Sequence, residues 1–404
     1  MPEFSIFALG VVLLTASLVA IVSRRLRMPY TVGLVIAGIA LALLPNAVEL
    51  PLTRDLIFDA LLPPLIFEAA LHLKWHDFRR ELPLTATLAF PGVVIAAAVV
   101  ASGMHFLIGW GWIGAALFGV LIAATDPVSV IASFRELNVE RRLSRLVETE
   151  SLLNDGAAAV GFALLLAIAA GGAITPTALL GSLIWTVAGG VVMGLLVAGV
   201  LLIVAGRIDD HLVEITLTTI AAYGSFLLAE HLQMSGVLAS LSAGLLVGNF
   251  GMMRSIAETS RGHVMAFWEY AAFLANSIVF ILIGSQEAHQ HLAFVAKAAA
   301  AAILLVLAGR ALAIYPLCAV FSRSTLRIGS RYQHVLVWGG LRGALALALA
   351  LALPADIPER EELIAVVFAV VAFSIFVQGL TMPWLIRRLR LSASLPEQHE
   401  THTS

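Results

Sequence analysis

Stretches of about twenty apolar residues recur along this chain from one end to the other, and they constrain it more than any motif does. A bilayer core of ~30 Å takes about 20 helical residues at a rise of ~1.5 Å each. Thirteen segments of that kind can be read: 4–23, 30–45, 54–72, 83–104, 111–133, 146–170, 178–205, 211–231, 234–250, 263–286, 292–321, 333–353 and 362–386. The second is short, and the third is interrupted by Pro63-Pro64. Only 12% of the 404 residues are charged and 60% are hydrophobic, whereas soluble domains carry about 25% charge. A soluble chain of this size would need far more charge to cover its surface. The expected fold class is an all-α polytopic membrane protein with about 13 transmembrane helices.

The basic residues test that count. With the N-terminus outside, 19 of the 24 lysines and arginines fall in inside loops, and only Arg54 and Arg360 fall outside. Lys297, Arg310 and Arg342 lie within spans. A wrong number of spans would scramble so strong a positive-inside bias. The first segment reads as a span rather than a cleavable leader, because it lacks a basic n-region and its apolar run is too long. Residues 1–390 are expected to form one membrane domain, and the polar residues 391–404 a short cytoplasmic tail.

An odd count allows a particular symmetry. If spans 1–6 form one unit and span 7 links it to spans 8–13, the second unit enters the membrane from the opposite face, as in inverted-repeat transporters. The helix breakers agree with this. Span 5 is interrupted by Thr125-Asp126-Pro127, and its counterpart, span 12, by Gly339-Gly340-Leu341-Arg342-Gly343. Broken helices at corresponding places in two halves point to a midplane binding site.

Ionisable groups at bilayer depth are costly, so each is a functional candidate. Asp126 lies ~22 Å along span 5 from its outer end, and Asp155 lies near mid-depth in span 6. Pro127 removes a backbone donor and leaves a carbonyl near residues 122–125 without its helical partner, which is tolerated at depth only beside a cavity or an ion. Carboxylates and free carbonyls are hard oxygen ligands that suit alkali or alkaline-earth cations. A pair of protonated aspartates joined by a hydrogen bond is the alternative. In Glu150-Ser151-Leu152-Leu153-Asn154-Asp155, Ser151 and Asp155 share one helix face, and Glu150 and Asn154 share the next. Glu68 lies deep in span 3. Arg342 must be paired in the membrane, and Glu150, Asp155, Asp126 and Glu68 are the partners on offer.

Other features are weaker. Only two lysines, Lys74 and Lys297, occur, and neither follows a glycine-rich run, so nucleic-acid and nucleotide binding have no footing. A single cysteine, Cys318, excludes an intrachain disulfide and any cysteine-based metal cluster. His72 and His76 have the spacing of a two-histidine metal site, but Lys74 and Trp75 beside them make an interfacial anchor the better reading. Arg310, Glu269 and Glu214 are read as pathway-lining or dimer-interface groups.

Thr125-Asp126-Pro127, Glu150-Ser151-Leu152-Leu153-Asn154-Asp155 and Trp338-Gly339-Gly340-Leu341-Arg342-Gly343 resemble the monovalent cation:proton antiporters of the NhaP and sodium/proton exchanger branch. Leu62-Pro63-Pro64-Leu65-Ile66-Phe67-Glu68 resembles the third-span motif of the same group. The matches fall in the expected order over essentially the whole membrane chain. The resemblance implies a homodimer of thirteen-span subunits in the inner membrane, with spans 5 and 12 unwound and crossing. It assigns the cation to Asp155, Asp126, Ser151, Glu68 and the Thr125 carbonyl. It pairs Glu150 with Arg342 and gives Asn154 a supporting role in the core. It also implies electroneutral exchange, since Asn154 stands where electrogenic relatives have a second aspartate. No cofactor is implied beyond the transported Na⁺ and H⁺. The long regulatory tail of animal exchangers has no counterpart here, so regulation through one is not expected.

Na⁺/H⁺ exchange is therefore the expected function, with K⁺/H⁺ exchange as the alternative because ligand type does not fix alkali-ion size. An intramembrane aspartyl protease would also need two membrane aspartates. Its Gly-x-Gly-Asp sequence is missing around Asp155.

Overall fold

The computed structural model describes residues 6–26, 28–44, 53–171, 176–206, 210–252, 255–287 and 292–392. Arg27, Arg207, Arg254 and tail residues 393–404 lie outside the described residues. The described chain is helical, and each of the thirteen apolar segments coincides with helix. Among the described residues, seven helices are long and apolar enough to cross a bilayer unaided: Trp75–Ile108, Arg141–Ala169, Leu180–Ala205, His211–His231, Glu258–Gln286, Val295–Val320 and Arg360–Arg388. They correspond to spans 4, 6, 7, 8, 10, 11 and 13. Span 1 is a continuous helix, Ile6–Leu26, whereas spans 2, 3, 5, 9 and 12 are short or broken, and spans 3, 5 and 12 carry Glu68, Asp126 and Arg342.

Span 3 shows what its prolines do. A π-helical turn, Leu56–Leu61, runs into the α-helix Leu62–His72, with Pro63 and Pro64 in its first turn. Their fixed φ of about −65° is already helical, so they continue the turn without kinking it away. The helix is therefore rewound rather than interrupted. Pro64 nevertheless offers no donor to the Ala60 carbonyl four residues back. That carbonyl accepts the Tyr223 hydroxyl of span 8 at 2.8 Å instead, and the Pro63 carbonyl accepts Ser240 of span 9 at 3.3 Å. The local sequence thus fixes where neighbouring spans attach.

Packing between spans follows the expected symmetry. Spans 4 and 11 pack along each other at the centre. Span 4 also packs on spans 5 and 6, and span 11 on spans 12 and 13. Span 2 lies on spans 1 and 10, while span 9 lies on spans 8 and 3. Span 1 touches span 10, and span 8 touches span 3. Exchanging spans seven apart (1 with 8, 2 with 9, and so on to 6 with 13) converts each of these relations into another of them, and the pairing of spans 4 and 11 into itself. Spans 1–6 and spans 8–13 thus share one pattern of contacts. Span 7, from Pro176 to Ala205, packs on spans 8 and 9 and has no counterpart.

Candidate functional site

Span 5 consists of two half-helices, Trp112–Leu121 and Val128–Glu136, and span 12 of Ser330–Trp338 and Ala344–Leu351. The two extended breaks touch. The Asp126 amide donates to the Leu341 carbonyl at 2.8 Å, which is how the unwound segments satisfy backbone groups inside a membrane. Asp126 Oδ1 accepts from the Val128 amide at 2.9 Å, an Asx turn that satisfies the first amide of the second half-helix of span 5. Gly343 is required by this contact, because a Cβ there would fall 2.4 Å from Asp126 Oδ2.

The carbonyl freed by Pro127 is that of Ala123, four residues earlier. Arg342 takes it: its Nη1 donates to the Ala123 carbonyl at 2.9 Å and to the Ala124 carbonyl at 3.0 Å. This corrects the expected Glu150–Arg342 pair. Glu150 is held by Arg310 of span 11, through Nη1 to Oε1 at 2.7 Å and Nη2 to Oε2 at 2.8 Å. A two-pronged guanidinium–carboxylate contact satisfies both oxygens at once. Arg310 Nε donates to the Leu336 carbonyl at 3.2 Å, close to where span 12 begins to unwind. Each break therefore has its own arginine. The sequence contained the signal for Arg310, since a guanidinium at depth must be paired, but the motif around Arg342 drew the pairing there.

Asn154 connects these features. Its Nδ2 donates to Glu150 Oε1 at 3.3 Å and to Thr125 Oγ1 at 3.1 Å, and the Thr125 hydroxyl donates to Ser151 Oγ at 3.2 Å. Glu150, Ser151 and Asn154 are all buried. A continuous polar chain thus runs from span 11 through span 6 to the break in span 5.

Asp155 stands at the end of this chain. It accepts the Thr125 amide, yet its Oδ1 is buried and has no partner among the described residues. Asp155 borders a cavity of about 100 Å³ that is also lined by Glu68, Thr125, Asp126, Asn276 and Gly343 among apolar residues of spans 3, 5, 6 and 12. Four of the five expected cation-site residues line this cavity. Ser151 does not, and lies behind Thr125. At the rim, Glu68 lies 3.3 Å from His72, and His72 lies 3.6 Å from Glu269 of span 10. Glu269 is thus linked through His72 to the cavity-lining Glu68. Glu214 is elsewhere: it is fully buried and accepts the Ala257 amide at 3.0 Å, ahead of span 10. His72 does more than anchor the interface, since it joins two carboxylates. Asn276 was not singled out from the sequence, where one asparagine in an apolar helix gives no signal of its own.

A cavity with three carboxylates and two amide or carbonyl groups suits a desolvated hard cation. Among the described residues no cluster of three or more metal-ligating histidine, cysteine or carboxylate side chains occurs in the tight geometry of a resident metal site.

Comparison with known proteins agrees with this chemistry. The profile of the family described as "Sodium/hydrogen exchanger, transmembrane" matches residues 12–388. The chain is 37% identical over 386 residues to the Na(+)/H(+) antiporter NhaS2 of Synechocystis sp., covering 96% of this chain and 71% of that protein. It is 39% identical over 393 residues to the Na(+)/H(+) antiporter ApNhaP of Aphanothece halophytica, covering 96% and 75% respectively. Its fold matches that of the sodium proton antiporter MjNhaP1 from Methanocaldococcus jannaschii with a TM-score of 0.75 at 19% identity, over 96% of this chain and 99% of the other.

Proposed function

This chain belongs to the transmembrane sodium/hydrogen exchanger family, and from that premise we propose that it exchanges Na⁺ (or Li⁺) for H⁺ by alternating access at the cavity between spans 3, 5, 6 and 12. It is a membrane transporter rather than an enzyme, and the protease reading falls away. The observation that carries the proposal is the unpartnered Oδ1 of Asp155 in a cavity shared with Asp126 and Glu68.

A buried carboxylate oxygen without a donor is costly. Either a proton or a cation relieves that cost, and the two compete for the same oxygens. An empty site would carry uncompensated charge across the membrane, so only loaded forms move and no separate coupling device is needed. Asp155, Asp126, Glu68 and the Thr125 carbonyl hold the cation directly. Ser151 joins them when the Thr125 hydroxyl turns away from it. Asn154 is neutral, which supports exchange of one cation for one proton without net charge movement. The Glu150–Arg310 and Arg342 contacts hold the frame and leave the cavity carboxylates free for cargo. No resident cofactor is needed. The homodimer rests on the family resemblance. Placement in the inner membrane with the N-terminus outside and the C-terminus cytoplasmic rests on the bias of basic residues.

Initial rates in proteoliposomes over a grid of pH and Na⁺ test the proposal. The KM for Na⁺ rises as pH falls, the maximal rate at saturating Na⁺ changes little on the acid side, and a valinomycin-clamped potential has no effect. An acid-side loss of maximal rate at constant KM would instead require a proton site separate from the cation site. Proton flux driven by K⁺ and not by Na⁺ would make the chain a K⁺/H⁺ exchanger.

A further inference from the structure

Span 10 crosses the membrane as one helix, Glu258–Glu287, and Asn276 lies well inside it. Asparagine is a poor helix former, and its amide is costly to bury away from partners. No described residue gives this amide a hydrogen bond, and the side chain lines the cavity that holds Asp126, Asp155 and Glu68. A leucine would suit an ordinary lipid-depth helix position better. The cavity is the feature that accounts for an amide here.

Asn276 is also rigidly mounted. The next residue, Ser277, shares a hydrogen bond of 2.8 Å with the Tyr30 hydroxyl of span 2, and the Tyr30 ring stacks on Phe273 with centroids 5.5 Å apart. Beyond it the two helices meet backbone to backbone: a Cβ on Gly38 would fall 2.2 Å from the Ile281 carbonyl oxygen, and one on Gly284 would fall 2.1 Å from that of Val35. Spans 2 and 10 therefore form a fixed wall. From that wall Asn276 lines the cavity shared with Thr125 and Asp126 of the broken span 5 and Asp155 of span 6. A group held this way loses little entropy when it engages a ligand.

We propose that Asn276 is a cation-selectivity residue, its amide oxygen completing the coordination of Na⁺ from the wall opposite Asp126 and Asp155. This rests on the exchange reading above. A neutral oxygen raises the coordination number without adding charge, so one cation still balances one proton. The number and field strength of coordinating dipoles discriminate among alkali ions. Li⁺ is smaller than Na⁺ and is satisfied by fewer oxygens. Removing one neutral oxygen therefore weakens Na⁺ binding more than Li⁺ binding.

The test compares wild type, Asn276→Ala and Asn276→Ser in proteoliposomes, with initial rates measured against Na⁺ and against Li⁺ at one pH. Asn276→Ala is expected to raise the KM for Na⁺ by about tenfold, equivalent to ~1.4 kcal/mol. It should raise the KM for Li⁺ by less than about threefold, with kcat nearly unchanged, and Asn276→Ser should lie between wild type and Ala. Thermal unfolding of the purified variants in detergent gives a second readout independent of transport. Stability without cation stays at the wild-type level, while stabilisation by added Na⁺ shrinks more than that by Li⁺. An unchanged Na⁺/Li⁺ ratio of KM, a fall in kcat at constant KM, or a loss of stability without cation would each overturn the selectivity role. Absence of cation-driven proton flux in wild type would instead overturn the exchange reading.

Discussion

Glu150 and Asp155 lie five positions apart on one helix, and both are acids deep in the membrane, yet they are treated in opposite ways. Glu150 has both oxygens held by Arg310 and receives the Asn154 amide as well. Asp155 has one buried oxygen without a donor and lines a cavity. The first arrangement leaves no room for cargo, and the second demands it. Depth in the membrane does not separate a structural acid from a transporting one. The difference is whether the surrounding helices complete the carboxylate or leave it unfinished.

The largest expected effect breaks the unfinished side. Asp155→Asn and Asp126→Asn each remove a charged ligand and are expected to lower Na⁺-driven proton flux by at least about a hundredfold, the consequence of losing ~2.7 kcal/mol or more of binding. Fluorescence ΔpH recording on monodisperse, purified variants checks this. Near-normal flux in Asp155→Asn would mean that its free oxygen is not where the cation binds.

Next in size is the completed side. Removing one partner of a buried ion pair typically costs ~3–5 kcal/mol, because the other charge remains uncompensated. Glu150→Ala and Arg310→Ala are each expected to lower the melting temperature in detergent, and the double variant should lose less than the sum. Glu150→Ala combined with Arg342→Ala should come closer to additivity, since Arg342 bonds to the Ala123 and Ala124 carbonyls. Strong coupling in the second cycle and none in the first would reverse the pairing. The smallest effect lies outside both regions. Tyr223→Phe removes the donor to the Ala60 carbonyl, and is expected to cost about 0.5–1.5 kcal/mol of stability with little change in exchange rate. A large fall in rate would show that the rewinding of span 3 matters for transport as well as for packing.

The positions of the breaks were legible because proline and glycine act locally. Pro127 had to free a carbonyl in residues 122–125, and it did. The identity of the group that answers that carbonyl was not legible. Any long donor on any neighbouring span could reach it, and neighbours in a helical bundle are far apart in sequence. Arg310 and Arg342 both demanded partners by the same physical rule, so the rule alone could not assign Glu150 to one of them. The contact of His72 with Glu68 and Glu269 joins spans 3 and 10, whereas from the sequence His72 read as part of an interfacial anchor with Lys74 and Trp75.

What the sequence by itself determined is one-dimensional. Apolar runs matched to bilayer thickness set the spans, basic residues between them set the sides, and helix breakers set where the spans come apart. These follow from forces that act between each residue and its solvent or its own turn of helix. The tertiary structure decided the rest: Glu150 with Arg310, Arg342 with the carbonyls freed by Pro127, and Asn276 facing the same space as Asp155. Those relations depend on distances between helices separated by more than a hundred residues. Such distances are fixed by how thirteen spans pack together, which no single span encodes.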